Sequence, residues 1–163
     1  MINKVISKLE RWFLNWKTAQ IKSAFKHCGK NVSVDATCQI IYPQNFEIGD
    51  NSLIAPYTTV YSAFGVTVGK NCLISSNCGI SSINHVINSD DRHRDDQENV
   101  KYSKPVVIND NVWIGMNVCI LPGVSIGKNS IIGSGSVVTK NVPANEIWVG
   151  NPAKFIKHLD IKS

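Results

Sequence analysis

Aliphatic residues recur along most of the chain at a fixed step of six. They are Val34, Ile40, Ile48, Ile54, Val60, Val68, Ile74, Ile80, Ile108, Ile114, Ile120, Ile126, Ile132 and Val138. In most of these hexads a small or medium-sized residue follows four places later. A step of six matches neither the 3.6-residue period of a helix nor the alternation of a strand. It predicts a hexapeptide-repeat parallel β-helix, in which each hexad forms one flat face of a triangular coil and both of these side chains point inward.

The spacing of the hexads also predicts where the chain leaves the repeat. Three hexads make one coil of 18 residues, and coils begin at residues 28, 48, 68, 108 and 126, which predicts about five coils. The first three steps exceed 18 residues by 2, 2 and 22, each time after a third hexad. The extra residues should therefore emerge near one corner, as two short bulges and a loop over residues 83–105. A loop of that length in a compact fold is usually functional or disordered.

Residues 2–26 have the period of an amphipathic helix. Its apolar face contains Ile2, Val5, Ile6, Leu9, Trp12, Phe13 and Trp16. Residues 1–27 carry six basic side chains and one acidic side chain, whereas residues 28–163 carry 11 of each sign. The helix has two compatible interpretations: a cap on the open end of the repeat, or a peripheral contact with the anionic inner face of the membrane. The balanced charge of the remaining chain argues against a nucleic-acid partner.

The chain is expected to divide into a basic helix (1–27), a β-helix with its loop (28–143) and a C-terminal tail or short helix (144–163). Its 163 residues are 43% hydrophobic and 18% charged, as expected of one folded domain rather than a disordered chain or a multi-span membrane protein. Charged residues interrupt the apolar residues near the N-terminus, so we expect no signal peptide and a cytoplasmic location.

The five cysteines form no CxxC pair, and their odd number argues against a disulfide scaffold. Cys28, Cys38, Cys72 and Cys78 occupy inward positions and Cys119 a corner. Buried thiols behave as small hydrophobic side chains. We therefore expect all five to be packing residues, although a nucleophilic cysteine is the alternative.

His85 is the residue with the best position for chemistry. It stands where the chain leaves the prism for the long loop, and an imidazole held there can act as a general base in a groove beside the β-helix. A loop histidine can equally be incidental, so the residues alone leave both interpretations open. His93 lies between two arginines in a mixed-charge segment, and His27 and His158 are near the chain ends.

Several motifs resemble those of the hexapeptide-repeat acyltransferases. They are IGDNSL, VGKNCL, NVWIG, LPGVSIG, IGSGSVVTK and GNPAK. The resemblance covers about residues 28–157 and is specific to the acetyl-CoA-dependent branch that includes maltose, galactoside, xenobiotic and surface-polysaccharide O-acetyltransferases. It implies a left-handed parallel β-helix, a homotrimer with active sites between subunits, acetyl-CoA as co-substrate and no required metal. It also implies that His85 is the catalytic base of a direct transfer from the thioester to an acceptor hydroxyl, with a backbone N–H holding the oxyanion.

The same resemblance implies a set of contacts to acetyl-CoA. These contacts are Trp113 and Met116 beside the thioester and pantetheine arm, Ser134, Thr139 and Lys140 along the pantetheine and adenosine, and Lys154 and Lys157 at the phosphates. From the residues alone, these last two lysines lie on a short helix or turn, where they could also be a solvated face.

For the acceptor, Asn84 is a candidate polar contact, although its hexad position is also consistent with inward packing. Sugar-specific relatives carry an Asn and an Asp where this chain has Ala55 and Ala63, so the acceptor is not expected to bind as in the galactoside enzyme. A carboxylate that orients His85 is unassigned. Its candidates are Asp90, Asp91 and Asp95.

A minimal β-helix preceded by one basic helix most resembles the O-acetyltransferases of capsule, O-antigen and other surface polysaccharides. The alternatives are a xenobiotic or small-sugar acetyltransferase, transfer to an amine, and a non-catalytic β-helix scaffold. A zinc hydratase resembling the γ-carbonic anhydrases needs three histidine ligands, and only His85 and His93 are suitably placed here.

Overall fold

The structure is a computed structural model that describes residues 2–92 and 96–160. In chain order its elements are α1 (Ile2–Ser23), β1 (His27–Cys28), β2 (Ser33–Val34), β3 (Gln39–Ile41), a 3-10 turn (Pro43–Asn45), β4 (Phe46–Ile48), β5 (Leu53–Ile54), β6 (Thr59–Tyr61), β7 (Val66–Val68), β8 (Leu73–Ile74), β9 (Gly79–Ser81), α2 (Asp96–Tyr102), β10 (Val106–Ile108), β11 (Trp113–Ile114), β12 (Cys119–Ile120), β13 (Ser125–Ile126), β14 (Ile131–Ile132), β15 (Val137–Val138), β16 (Glu146–Val149) and β17 (Lys154–His158).

The strands form the three faces of a parallel β-helix, as the hexads predict. Sheet A stacks β1, β4, β7, β10 and β13; sheet B stacks β2, β5, β8, β11, β14 and β16; sheet C stacks β3, β6, β9, β12 and β15. Equivalent hexad positions pair in register, as in Ile54 with Ile74 and Ile114 with Ile132. A bridge from Ile126 to Val142 and the addition of β16 begin a further turn. The solenoid therefore has about six turns, one more than the expected five.

The inward positions form one continuous core. The aliphatic hexad residues from Ile48 to Val138 are almost fully buried, and the small residues between them, such as Ser52 and Ser136, are buried as well. Each buried hydroxyl meets a main-chain group: Ser52 Oγ donates to Gly69 O at 2.7 Å, and Ser136 Oγ donates to Gly133 O at 2.6 Å. Small side chains fit here because the prism is narrow, and their hydroxyl groups are satisfied without water.

Asparagines line one corner of the prism. They are Asn31, Asn51, Asn71, Asn111, Asn129 and Asn145, and all have φ between 56° and 61° except Asn129 at 65°. This corner, which we call the AB corner, joins sheet A to sheet B. Neighbouring amides bond from turn to turn, as in Asn129 Nδ2 to Asn145 Oδ1 at 2.7 Å. Asparagine tolerates the left-handed conformation better than other residues with a Cβ, so it suits both the turn and the ladder.

The extra residues emerge at the corner between sheets C and A (the CA corner), as predicted. The first excess forms the 3-10 turn, and the long loop follows Ser82 and returns at Val106. Helix α2 lies inside this loop and was not predicted. His93 falls outside the described residues.

The two ends of the core are closed by aromatic side chains. At the start, Phe25 packs edge-on against Phe46 with ring centroids 4.8 Å apart. At the other end, Trp148 packs against the core. Of the predicted apolar face of α1, Leu9, Trp12, Phe13 and Trp16 are exposed and do not cover the coil; Ile21, near the end of the helix, packs against the core. Within the described residues, neither helix combines the length and apolar character needed to cross a bilayer.

The C-terminal tail differs from the expected short helix or turn. Residues Lys154–His158 form β17, which pairs antiparallel with β16. Because β16 is the last strand of sheet B, its outer edge would otherwise expose unpaired main-chain groups. A turn through Gly150, with φ of 103°, returns the chain to cover that edge.

The cysteines are unpaired thiols, and the packing interpretation is confirmed for Cys38, Cys72 and Cys78, which are buried. Burial raises the pKa of each of these thiols. Cys28 is half-buried. Cys119 does not lie at a corner as expected: it belongs to β12, immediately before the inward Ile120, so its half-buried side chain lies on the outer face of sheet C.

Candidate active site

His85 stands at the root of the long loop with its side chain exposed. Its Nδ1 atom lies 3.2 Å from the main-chain oxygen of Arg92. A carbonyl oxygen only accepts hydrogen bonds, so the neutral ring carries its proton on Nδ1. The other nitrogen, Nε2, is then the basic one. This is the tautomer that a general base requires.

Asn99 on α2 holds the two strands of the loop together around His85. Its Oδ1 accepts from the Val86 N–H at 2.7 Å, and its Nδ2 donates to the Arg92 oxygen at 3.2 Å. The Arg92 oxygen thus accepts hydrogen bonds from both His85 and Asn99. The side chain of Asn99 is buried, whereas His85 and Arg92 are exposed, so one buried amide ties the exposed histidine segment to the rest of the loop.

Within the described residues the atom against His85 Nδ1 is a main-chain oxygen, and a carboxylate partner stays a prediction. Arg92 itself is anchored, since its Nε donates to Ile87 O at 3.2 Å. Of the three candidate carboxylates, Asp90 is exposed. Asp91 lies in a turn in which its main-chain N–H donates to Ser89 Oγ at 3.1 Å. Asp95 lies outside the described residues. The orienting group was missed because a main-chain acceptor leaves no signature in the sequence.

Asn84 does not pack inward. Its side chain is exposed, and its Oδ1 accepts from the His85 N–H at 3.0 Å. Its own N–H donates to Ser103 Oγ at 3.0 Å. The exposed amide nitrogen of Asn84 is therefore still able to make the expected polar contact, while the oxygen bonds to the His85 N–H.

A cleft of about 740 Å³ separates the loop from the outer face of sheet C. His85, Val100 and Asn99 line its loop side. The opposite wall is mostly aromatic and aliphatic, and its members include Ile41, Tyr42, Tyr61, Ala63 and Phe64. A concave, mainly apolar site with a few polar groups is typical of small-molecule binding. The sequence analysis missed these aromatic residues because they follow the inward positions of the bulged hexads.

Three of the expected acetyl-CoA contacts lie together at the edge of sheet C that is opposite to the His85 loop. Met116 and Ser134 occupy successive turns of the corner between sheets B and C (the BC corner), where Met116 N–H donates to Ser134 Oγ at 3.1 Å. Trp113 lies next to them on sheet B and its Nε1 donates to Ser75 Oγ at 3.4 Å. Gly115 permits this approach, because a Cβ there would lie 2.6 Å from Ser134 N.

The two tail lysines share a face with Trp113. Trp113 pairs with Ile131, Ile131 with Ile147, and Ile147 with Lys157. Paired residues point to the same side of a sheet, and with strands ~4.8 Å apart Lys157 lies roughly 14 Å from Trp113 along the outer face of sheet B.

Lys154 joins that face because β17 has a bulge. Lys154 pairs with Val149 and Lys157 with Ile147, so a register shift separates them. Three residues apart on a regular strand, the two lysines would point to opposite sides. The bulge adds one residue and restores them to one side.

Thr139 and Lys140 lie elsewhere. Both are exposed and follow β15 at the CA corner, the corner from which the His85 loop emerges. The structure therefore divides the expected site residues into two groups on one chain. His85, Asn84, Thr139 and Lys140 belong to the CA corner; Trp113, Met116, Ser134, Lys154 and Lys157 belong to sheet B and the BC corner. The outer face of sheet C separates them.

Among the described residues, no group of three or more His, Cys, Asp or Glu side chains is arranged to hold a metal ion.

Comparisons with known proteins identify the repeat. The family model "Bacterial transferase hexapeptide (six repeats)" matches residues 105–140, and "Hexapeptide repeat of succinyl-transferase" matches residues 65–84. Galactoside O-acetyltransferase of Escherichia coli K12 is 37% identical over 140 residues, which is 86% of this chain and 67% of that protein.

Solved structures agree with the sequence comparisons. A maltose O-acetyltransferase from Clostridium difficile 630 superposes with a TM-score of 0.76 at 34% identity, over 86% of this chain and 73% of that one. A hexapeptide-repeat acetyltransferase from Vibrio cholerae, complexed with acetyl-CoA, superposes with a TM-score of 0.77 at 26% identity, over 94% of this chain and 79% of that one.

Proposed function

The chain belongs to the hexapeptide-repeat, acetyl-CoA-dependent O-acetyltransferases, and we propose that it acetylates a hydroxyl group of a sugar with His85 as general base. The observation that carries this proposal is the bond from His85 Nδ1 to Arg92 O at the edge of the cleft. It leaves Nε2 as the proton acceptor and points to a residue selected for proton transfer rather than an incidental loop histidine.

The proposed reaction is a direct transfer. His85 Nε2 takes the proton of the acceptor hydroxyl while the hydroxyl oxygen attacks the thioester carbonyl of acetyl-CoA. The carbon–sulfur bond then breaks, and the imidazolium returns its proton to the CoA thiolate, which leaves an acetyl ester and free CoA. General-base catalysis of this kind contributes roughly 10²–10⁴-fold.

Acetyl-CoA fits the outer face of sheet B. We assign the thioester end to Trp113 and Met116 and the phosphate end to Lys154 and Lys157, since the ladder from Trp113 to Lys157 provides an extended track with cations at its far end. Lysine ammonium groups bind phosphates as point charges. The side-chain hydroxyl of Ser134 lies between these two ends, on the turn above Met116.

The two groups of site residues meet only if two subunits come together. In the proposed homotrimer the CA corner of one subunit, with His85, Thr139 and Lys140, faces the BC corner of the next, with Trp113, Met116 and Ser134. Closed rotational symmetry then produces one composite site at each of three interfaces. This arrangement accounts for an exposed His85 in a single chain.

The cleft beside His85 is the proposed acceptor site. Tyr42 and Tyr61 are partly exposed along its wall, and aromatic faces pack well against the apolar faces of sugar rings. Asn84, whose oxygen bonds to the His85 N–H, would contact a neighbouring hydroxyl with its amide nitrogen. Ala63 on this wall cannot bind a sugar hydroxyl, so recognition depends on stacking more than on charge.

We propose a bacterial surface polysaccharide or its precursor as the acceptor, because the cleft lies open on the surface beside the loop, where an oligosaccharide can lie across it. A small sugar is the second candidate. It is favoured by the names of the relatives, which are galactoside and maltose O-acetyltransferases.

Thiol release from acetyl-CoA tests both the activity and the acceptor class. Wild type and His85→Gln would be compared on monosaccharides, galactosides, maltose, nucleotide sugars and bacterial oligosaccharides. We expect turnover with oligosaccharides that falls by at least about 100-fold in His85→Gln, with acetyl-CoA affinity unchanged. Turnover confined to monosaccharides and disaccharides would establish the small-sugar reading. Full activity of His85→Gln would exclude His85 as the base.

Mixing two inactive variants tests the composite site. His85→Gln and Trp113→Ala chains would be co-expressed with different affinity tags and the mixed trimers purified. If His85 and Trp113 of different subunits serve one site, one of the three sites in each purified mixed trimer, about a third, carries both native residues and regains activity. If both residues serve a site within one chain, no activity returns. Each variant trimer alone is the matched control.

A further inference from the structure

We propose that the outward face of α1 binds the surface of an anionic lipid bilayer. This interaction is independent of the catalytic assignment, since none of the residues involved lies in the cleft or on the acetyl-CoA track. It rests on three observations: the helix has two separate apolar faces, the larger of them is uncovered, and the excess positive charge of the chain is concentrated around it.

The smaller face of α1 attaches the helix to the solenoid. Leu14 and Thr18 line a groove against the first two turns of sheet B, and Ile21 packs on the core. Lys22 Nζ donates to Val32 O at 3.1 Å. Leu14, Thr18 and Ile21 are three, four or seven residues apart and therefore share one side of the helix. The attachment uses only the C-terminal half of α1.

The larger face points away from the solenoid. Leu9, Trp12, Phe13 and Trp16 have the spacing of one helical stripe, and Trp12 is 66% exposed and Trp16 50% exposed. Phe13 and Trp16 pack on each other, with ring centroids 5.9 Å apart, rather than on the body of the protein. At 100° per residue this stripe lies on the side of the helix opposite to Leu14, Thr18 and Ile21, so attachment to the solenoid leaves it uncovered.

The charge around this face determines the partner. Lys8 and Lys17 are exposed and, at 100° per residue, flank the stripe at about 90° on either side. Residues 1–27 account for the whole net charge of +5. Residues 28–163 carry equal numbers of acidic and basic side chains, so a second copy of the chain offers no surplus of negative charge, and its own α1 would repel. An anionic bilayer complements the cations and also accepts the aromatic side chains.

Tryptophan strengthens this choice, because indole rings favour the boundary between headgroups and acyl chains. A helix with a large apolar face, tryptophans and a basic polar face lies in the plane of that boundary rather than across it. Each lysine or arginine near an anionic surface adds to the attraction. Two tryptophans, one phenylalanine and several cations on one short segment satisfy both requirements.

Vesicle co-sedimentation of the full chain tests the proposal. The vesicles would be phosphatidylcholine alone or phosphatidylcholine with 30 mol% phosphatidylglycerol, about 30% being an ordinary anionic fraction in such assays. We expect binding to the anionic vesicles only, weakened at high salt because the ionic attraction is screened. Binding should also shift tryptophan emission to the blue.

Two variants and their controls separate the contributions. Trp12→Ala/Trp16→Ala should lose roughly tenfold or more in vesicle affinity, together with the emission shift, while Lys8→Glu/Lys17→Glu should lose the preference for anionic lipid. Lys128→Glu, an exposed charge at the AB corner, is the matched control and should bind as wild type. Circular dichroism verifies folding, and acetyl transfer to a soluble acceptor should be unchanged in all variants.

Two results would overturn the proposal. One is equal sedimentation of wild type with neutral and anionic vesicles, or with neither. The other is a change of oligomeric state: if Trp12→Ala/Trp16→Ala dissociates the protein in analytical ultracentrifugation and wild type ignores vesicles, a second copy of the chain covers this face.

Discussion

The Nδ1 atom of His85 lies 3.2 Å from the main-chain oxygen of Arg92, and both belong to the same loop. The orientation of the His85 ring, the proposed base, is therefore determined by how this loop folds, and not by the β-helix beneath it. Asn99 completes the arrangement by donating to the same oxygen at 3.2 Å. Its Oδ1 accepts a hydrogen bond from the N–H of Val86, the residue immediately after the histidine. The loop thus positions the proposed base through one buried side chain.

Replacing Asn99 by alanine should lower kcat without changing the affinity for acetyl-CoA. The variant loses both bonds that hold the loop strands together, so His85 is no longer fixed relative to the acceptor, and misplacement by ~1 Å costs up to roughly 100-fold. Asn99→Asp keeps an acceptor for the Val86 N–H but no donor for Arg92 O, and should fall between alanine and wild type. Initial rates over a range of both substrates separate kcat from KM.

The control for this experiment is Asn88→Ala, which changes an exposed asparagine of the same loop and should leave both constants unchanged. A change in KM for acetyl-CoA with an intact kcat would contradict a positioning role for Asn99.

The inward half of the fold could be predicted from the sequence because the prism interior is narrow. Every sixth position must be aliphatic there, as at Ile54, Ile114 and Ile132, and these residues determine which side of each strand points into the prism. The corner for the long loop followed from counting residues between these positions. His85 could be singled out for the same reason, since it is the histidine at the point where the six-residue repeat is interrupted by the long loop.

What lies outside the prism was less predictable. The polarity pattern of α1 indicates an apolar stripe but not which partner covers it, and Leu14 and Ile21, which attach the helix, are too few to stand out. The strand β17 depends on the free edge of β16, which is a tertiary feature. The bulge that brings Lys154 and Lys157 to one side has no local signature either.

Alanine substitutions of Lys154 and Lys157 should each weaken acetyl-CoA binding by about two- to fivefold, the range of exposed ion pairs. The effect should shrink at high salt, because exposed charges are screened, and kcat should change little. Equilibrium binding of acetyl-CoA and of dephospho-CoA would measure it. Lys128→Ala is the control, as this lysine lies at the AB corner. If only one of the two substitutions weakened acetyl-CoA binding, the two lysines would not share a face.

The asparagine ladder predicts an unusual order of stabilities at position 129. Asn129 has φ of 65°, accepts from Asn111 Nδ2 at 3.0 Å and donates to Asn145 Oδ1 at 2.7 Å. Asn129→Gly loses both bonds but keeps the backbone unstrained, whereas Asn129→Ala also carries a Cβ in the left-handed region, which costs about 1–2 kcal/mol more. Urea unfolding should therefore rank wild type above glycine and glycine above alanine. Equal stability of the two variants would mean that the backbone strain is absent.

Cys72 makes the stability of the fold depend on alkaline pH. Its thiol is buried and donates to Asn109 O at 3.0 Å, and burial raises its pKa above the 9.0 of an ordinary cysteine. In the unfolded chain the thiol ionises near pH 9.0, while in the folded chain it stays protonated. As the pH rises past 9.0 the unfolded state loses a proton that the folded state keeps, so the free energy of unfolding falls; below that pH the contribution is fully present.

Cys72→Val isolates this thiol from the other titrating groups. Val112 occupies the equivalent inward position one turn later, so valine fits the narrow core at this step, and it does not ionise. Urea midpoints would be compared at pH 7 and pH 10 for both proteins. Wild type should lose more stability between the two pH values than Cys72→Val, because both proteins retain the buried thiols of Cys38 and Cys78 and only wild type carries that of Cys72. Parallel losses in the two proteins would show that Cys72 ionises alike in the folded and unfolded chains, and a larger loss in the variant would reverse the sign of the argument.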